Sequence, residues 1–419
     1  MTALWAPLLP AGAPVSRDLV LESCAGHRVT LGDGRTVLDG DSGLWNVSLG
    51  YGVPAIAEAV RDAALTRSYQ GQFRFAGSAA TAAAEDLLDF CGADHYGRVI
   101  FSTSGGAAND ATMKLARHHQ ALAHPGANRP VVVGLEGSYH GLMYGSMQLS
   151  GEELGQRVYR TDARTVRHVP ANDVDRLAEF MAEYGDHVAA VFVEPVQGTG
   201  TVPLRTEFVR ALLEHRARHG FLLVADEVAT GFGRTGSLFA SATWPEPPDV
   251  LVLSKALTNG VCAASAILVS HAAADTFDRT QQVFVHAETQ AGTAVAAAAI
   301  RATLAEYRRR YDDPAPNAAI PHVDVAAALH VLATELPWVT GYTGRGMFWT
   351  LRLVDEHGHT PDALRIMQLV ARIRARGALV HNAPGGITLC PGLGYTRDEL
   401  QELVGCVRTG IQREFGGAR

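Results

Sequence analysis

The chain has 419 residues and a formal net charge of −7, with 47% hydrophobic and 19% charged residues. That length suits one large α/β domain with a smaller appendage, and the composition excludes a disordered, collagenous or disulfide-scaffold chain. No basic tail or stripe interrupts the acidic balance, so a nucleic-acid partner is not expected.

The cysteines Cys24, Cys91, Cys262, Cys390 and Cys406 lie far apart without CxxC spacing. Neither a disulfide framework nor a zinc site is expected, and a reducing, cytoplasmic location is. The N-terminal MTALWAPLLPAGAPVSRD lacks a basic segment and carries prolines through its apolar part, unlike a secretory leader. The longest apolar stretch runs from Val295 only to Arg301, too short for a membrane span. Lys and Arg total 36, yet only Lys114 and Lys255 are lysines. What Lys offers and Arg does not is an amine that deprotonates when desolvated and attacks a carbonyl. A coding bias against Lys is the plainer explanation, and composition alone leaves both open.

In chain order, apolar runs at 28–31 and 36–38 flank a Gly-Asp-Gly turn and predict a small β meander in an outer domain. From about 75 to 300, strand-length runs alternate with helical periodicity. They end at Ser102, Glu136, Glu194, Val228 and Ser254, with helices expected over 109–121 and 206–219. Runs of Val, Leu and Ile without alternation suit strands buried on both faces, hence a mostly parallel sheet wrapped by helices. After a polar, proline-containing break at 312–321, the chain reads helix (360–377), strand (378–382), helix (396–415). The expected division is 1–44 and 311–419 in a small α+β domain and 45–310 in a large one.

Ligands of such sheets bind outside the carboxyl ends of the strands, where four clusters fall. Ser104-Gly105-Gly106 lies between a strand and a helix, a turn that can cradle a phosphate or simply connect the two. Tyr139 and His140 follow the next strand; the aromatic ring can stack on a flat cofactor or merely pack. Asp226 closes a buried strand, where a carboxylate is expensive unless paired. Lys255 follows another, where desolvation lowers an amine's pKa. Phosphate cradle, stacking aromatic, carboxylate for a pyridinium proton and desolvated lysine are together the parts that use pyridoxal 5'-phosphate. In that reading Lys255 and Asp226 are the catalytic pair. His118 with His119, or His286 with Glu288, raise the idea of a metal, but adjacent helical residues diverge by about 100° and rarely share one.

The ordered motifs SGGAAND, SYHG, EPVQG, DEVATGFGRTG, SKALTNG and HAETQAG resemble the class III pyridoxal-phosphate aminotransferases of fold type I over essentially the whole chain. The resemblance implies an α/β large domain with a mostly parallel central sheet and a small domain built from both termini. It implies Ser104, Gly105 and Gly106 at the phosphate, Tyr139 and Val228 on the two ring faces, and His140 and Glu194 among the cofactor's neighbours. Asp226 falls at the ring nitrogen and Lys255 at the carbonyl carbon. Thr289 falls where the family uses a partner subunit's threonine, which implies a homodimer with shared sites. Trp45, Tyr69, Phe73 and Arg74 are the expected substrate-pocket residues. Thr199 and Thr388 stand where ornithine and γ-aminobutyrate aminotransferases carry a Glu–Arg pair that handles a substrate carboxylate. Ala107 and Ala229 also depart from the common pattern. The finer wording FSTSGGAAND, PDVLVLSKALTNG and HAETQAGT is similar to the daptide-type aminotransferases of ribosomal peptide biosynthesis, which implies a ketone acceptor at a peptide C-terminus. An amine:pyruvate transaminase acting on small amines is the alternative, and a non-catalytic scaffold a third reading.

Overall fold

Short Val- and Leu-rich runs alternating with amphipathic stretches produce a mixed α/β architecture in the computed structural model, which describes residues 3–10, 12 and 15–416. Part of the proline-containing N-terminal stretch therefore lies outside the described residues. The expected meander forms from β1 (Leu21–Ala25), β2 (Arg28–Leu31) and β3 (Thr36–Asp39), paired antiparallel in sequence order. Val29, Leu31 and Val37 form a small buried cluster within it.

The next strands are β4 (Tyr96–Ser102), β5 (Val131–Leu135), β6 (Val166–Val169) and β7 (Val188–Val193). A small hairpin of β8 (Val196–Gln197) and β9 (Val202–Pro203) precedes β10 (Leu222–Asp226), β11 (Val250–Leu253) and β12 (Ser265–Ser270). Seven of them form one sheet in the order β4-β12-β11-β10-β7-β5-β6. From β11 to β6 every pairing is parallel, whereas β12 runs antiparallel to both β4 and β11. The sheet is mostly parallel, as expected, with one reversed strand.

Every residue of β5, β7, β10 and β11 is buried, because the sheet is covered on both faces. On β5, Val131 and Val133 pack with helices Val174–Tyr184 and Thr206–His219, while Val132 packs with helix Gly105–Ala123. Helix Thr206–His219 carries Glu207 in its first turn and Arg216, Arg218 and His219 in its last, matching the helix dipole, and ends at Gly220 with φ 69°.

Towards the C-terminus, β13 (Val339–Arg345), β14 (Phe348–Leu353), β15 (Ala378–Leu379), β16 (His381–Ala383) and β17 (Gly386–Leu389) follow. An antiparallel sheet β13-β14-β17-β16 packs with helices Val325–Glu335, Ala363–Ala375 and Arg397–Phe415. The last helix opens on a capping box between Thr396 and Glu399. The single strand expected over 378–382 is in fact two. β15 leaves to pair in parallel with β3, so the first small sheet draws on both ends of the chain, and β16 stays with β17. No helix among the described residues is long and apolar enough to cross a membrane.

Candidate active site

Asp226 is the last residue of β10, between β7 and β11. Its Oδ2 accepts from Asn109 Nδ2 at 2.7 Å and lies 2.8 Å from His140 Nδ1, and its Oδ1 accepts from Val228 N at 3.1 Å. These partners offset the cost of burying a carboxylate. His140 is itself buried, which opposes its charge, but the hydrogen bond and field of Asp226 prevail and hold the imidazole above its ordinary pKa. Glu194, immediately after β7, accepts from Tyr139 N at 2.9 Å and Gly198 N at 3.0 Å. Burial raises its carboxyl to about 7, with His140 opposing and Asp226 adding.

Lys255 stands two residues beyond β11 with φ 45°, a left-handed conformation that costs a non-glycine residue about 1–3 kcal/mol. Burial lowers its amine's pKa against the pull of Asp226 and Glu194. Its Nζ lies 4.3 Å from the centroid of the Trp45 ring. That ring is placed by an unusual turn: Ser42, Gly43, Leu44 and Trp45 have consecutive φ of 49°, 58°, 56° and 67°. Asp39, closing β3, holds the turn by accepting from Asp41 N at 2.9 Å and Gly43 N at 2.8 Å. Phe348 supports the indole edge-on at 4.8 Å.

Ser104 caps helix Gly105–Ala123 by accepting from Ala107 N at 3.2 Å, and the first-turn amides before it lack intrahelical acceptors. The turn is packed for glycine. A Cβ on Gly105 would lie 3.0 Å from the Val228 methyls, and one on Gly141, at φ 124°, would lie 2.4 Å from Gly106 Cα.

Ser104, Gly105, Gly106, Tyr139, His140, Glu194, Asp226, Val228, Lys255 and Trp45 all line one cavity of about 380 Å³. Four expected site residues do not line it. Tyr69, Phe73, Arg74 and Thr289 are exposed on another face, where Tyr69 Oη donates to the Thr289 carbonyl at 3.1 Å. Asn109 is a site residue that sequence reasoning missed. Its signal was position: one helical turn beyond Gly105, it shares that residue's face. A larger cavity of about 1110 Å³, between helices Val325–Glu335 and Arg397–Phe415, contains none of these groups. Among the described residues no cluster of three or more His, Cys, Asp or Glu could hold a metal, and the Glu288 carboxylate is occupied by Ser102 and Thr103.

A sequence model of the family described as aminotransferase class III matches residues 11–409. The chain belongs to the class III aminotransferases. This aminotransferase is similar to the acetylornithine aminotransferase of Mycobacterium tuberculosis, 32% identical over 95% of this chain and 93% of that protein. It is also similar to the omega-aminotransferase of Caulobacter vibrioides, 28% identical over 97% of each. Its fold matches a PLP-bound amine transaminase from an uncultivated Pseudomonas species, with a TM-score of 0.89 and 26% identity over 99% of both chains. Fold type I and dependence on pyridoxal phosphate follow from the family. The cavity fits that cofactor: a glycine cradle that excludes side chains, a buried and hydrogen-bonded carboxylate, and a desolvated lysine share one space.

Proposed function

We propose that this aminotransferase moves an amino group from an amino donor to a ketone that lacks the carboxylate read by ornithine-type enzymes, namely the C-terminal ketone of a ribosomally made peptide of the daptide type. The observation that carries the reading is the absence of an arginine among the described residues lining the cavity. Thr388 is buried and shares a 2.7 Å hydrogen bond with Thr350, and Thr199 donates to Glu152. Arg234 is buried nearby, but its guanidinium donates to the Pro391 carbonyl at 2.7 Å and Ser48 Oγ at 2.9 Å, with no carboxylate partner. Of the lining residues, Trp45 and Ala229 pack in an apolar cluster with Phe348, Val196 and Cys390. The second reading, an amine:pyruvate transaminase on small amines, is favoured by likeness to the Pseudomonas amine transaminase and the Caulobacter omega-aminotransferase.

The bound cofactor supplies an electron sink for negative charge at the substrate carbon. Lys255 would hold the cofactor through its amine, and that amine, when free, would be the base placed to move a proton at the substrate carbon. Desolvation keeps that amine from holding its proton too tightly. Asp226, held in place by Asn109, His140 and the Val228 amide, would face the ring nitrogen and favour a proton there. Ser104 and the amides of Gly105 and Gly106 receive the phosphate, completed in a homodimer by Thr289 of the partner subunit. Tyr69 and Phe73 would serve the substrate side from that same interface, and Arg74, exposed in a segment without regular structure, is not the fixed carboxylate clamp of ornithine-type enzymes.

The test is a spectral titration of the cofactor-loaded protein with amino acids and simple amines, then with candidate acceptors. One donor should bleach the visible band of the lysine-bound cofactor, and a C-terminal peptide ketone should restore it. Restoration by pyruvate alone selects the second reading; restoration only by carboxylate-bearing semialdehydes defeats both.

A further inference from the structure

Residues 281–293, between helices His271–Thr280 and Ala294–Tyr311, form no regular element, and Val283, Val285 and Thr289 within them are exposed. Such a segment has no core of its own: Phe284 packs against Phe277 at the edge of the core, and polar contacts hold the rest. Lys114 Nζ, from helix Gly105–Ala123, donates to the Val285 carbonyl at 2.9 Å, which gives the second lysine a place in the fold. Tyr69 Oη and Gln72 Nε2 hold the carbonyls of Thr289 and Gly292 at 3.1 and 3.3 Å. The densest tie is Glu288. Its carboxylate accepts from Ser102 Oγ, from Thr103 N at 3.1 Å and from Thr103 Oγ1. Ser102 closes β4, and Thr103 directly precedes Ser104, the cap of the glycine turn. One side chain thus fastens the residue before Thr289 to the two residues before the phosphate cradle.

We propose that Glu288 is a positioning residue for cofactor binding. It locks the Thr289 segment to the strand end that bears the chain's own glycine turn, so each protomer presents two phosphate-binding pieces in fixed relation: the turn for its own site and Thr289 for the partner's. This rests on the reading above that Thr289 reaches the phosphate of a partner subunit. A carboxylate answering three donors from consecutive residues sets the segment's position more tightly than single bonds to carbonyls do. Glutamine can replace it, because the Ser102 and Thr103 hydroxyls accept as readily as they donate. Alanine cannot.

The experiment is a titration of pyridoxal 5'-phosphate into the cofactor-free full-length dimer, read by tryptophan fluorescence, with circular dichroism and light scattering as controls. Glu288→Ala should weaken the Kd for the cofactor by about tenfold while Glu288→Gln stays near wild type. Thr289→Ala should weaken it similarly, and the double variant should be no worse than either single one, since Glu288 acts through Thr289. If Glu288→Ala does not fold, Thr103→Val, which removes one of the three donors, should show a smaller loss in the same direction. Wild-type affinity in Glu288→Ala or Thr103→Val, or losses that multiply in the double variant, would overturn the tie. A loss in Glu288→Ala with none in Thr289→Ala would instead overturn the shared-phosphate reading on which it rests.

Discussion

In the proposed mechanism Lys255 needs a free amine to bind the cofactor and to shuttle protons, and its surroundings move its titration in that direction. Burial lowers its pKa from the ordinary 10.5, while Asp226 and Glu194 pull the other way. The free base is the form that captures the cofactor carbonyl, so the rate of cofactor uptake by the cofactor-free protein should rise with pH along this limb, and its midpoint should fall below 10.5. Lys255→Ala should lose the visible band of the lysine-bound cofactor and reduce turnover by at least about a thousandfold, with an unchanged circular dichroism spectrum; normal turnover would remove the residue from the mechanism. Glu194 gives a stability test. Its carboxyl sits at about 7 folded against an ordinary 4.5, so between those values the folded state holds the extra proton and stability falls as pH rises. The melting temperature of the cofactor-free protein should therefore drop across that window relative to Glu194→Gln; parallel curves would contradict it. Lys255 and Asp226 were legible as residues, because a charged group ending an apolar run is locally conspicuous. Asn109 was not, because nothing local announces that its amide meets a carboxylate 117 positions later.

Among elements, the turns after β4 and β5 meet at Gly106 and Gly141, where a Cβ on Gly141 has no room. Gly141→Ala places a side chain at φ 124° and 2.4 Å from Gly106 Cα. It should cost about 1–3 kcal/mol in backbone strain, with further loss from the clash, and weaken cofactor uptake, as measured by denaturant melts and cofactor titration. Uptake equal to wild type would mean the two turns are not the cradle. The strands that sequence reading located include the fully buried β5, β7, β10 and β11, yet β12, buried throughout, escaped it, so burial alone does not make a strand legible. Sequence reading also passed over β6, at the sheet edge with partly exposed Arg167 and His168. The reversal of β12 follows from its connection: residues 254–264 leave no room for the crossover a parallel return requires.

At the scale of the molecule, the cavity of one chain lacks Thr289, Tyr69, Phe73 and Arg74, all of them exposed, with Tyr69 bonded to the Thr289 carbonyl. A homodimer that shares sites predicts complementation. Mixing Lys255→Ala with Thr289→Ala protomers should regenerate intact sites in the hybrids, about a quarter of the total at random pairing, when assayed at limiting cofactor. Activity no higher than the mean of the parents would place Thr289 outside the partner's site.

By itself the sequence determined the fold class, the family and the cofactor, and pointed to Lys255 and Asp226 as the proposed catalytic pair, because strand-end motifs are short and each carries its chemistry within a few residues. Only the tertiary structure decided what brings those groups to working order. Asn109 and His140 converge on Asp226, Asp39 holds the left-handed turn that sets Trp45 against Lys255, and Glu288 reaches back to Ser102 and Thr103. Sequence spacing does not encode these contacts, since each depends on how close packing aligns segments far apart in the chain.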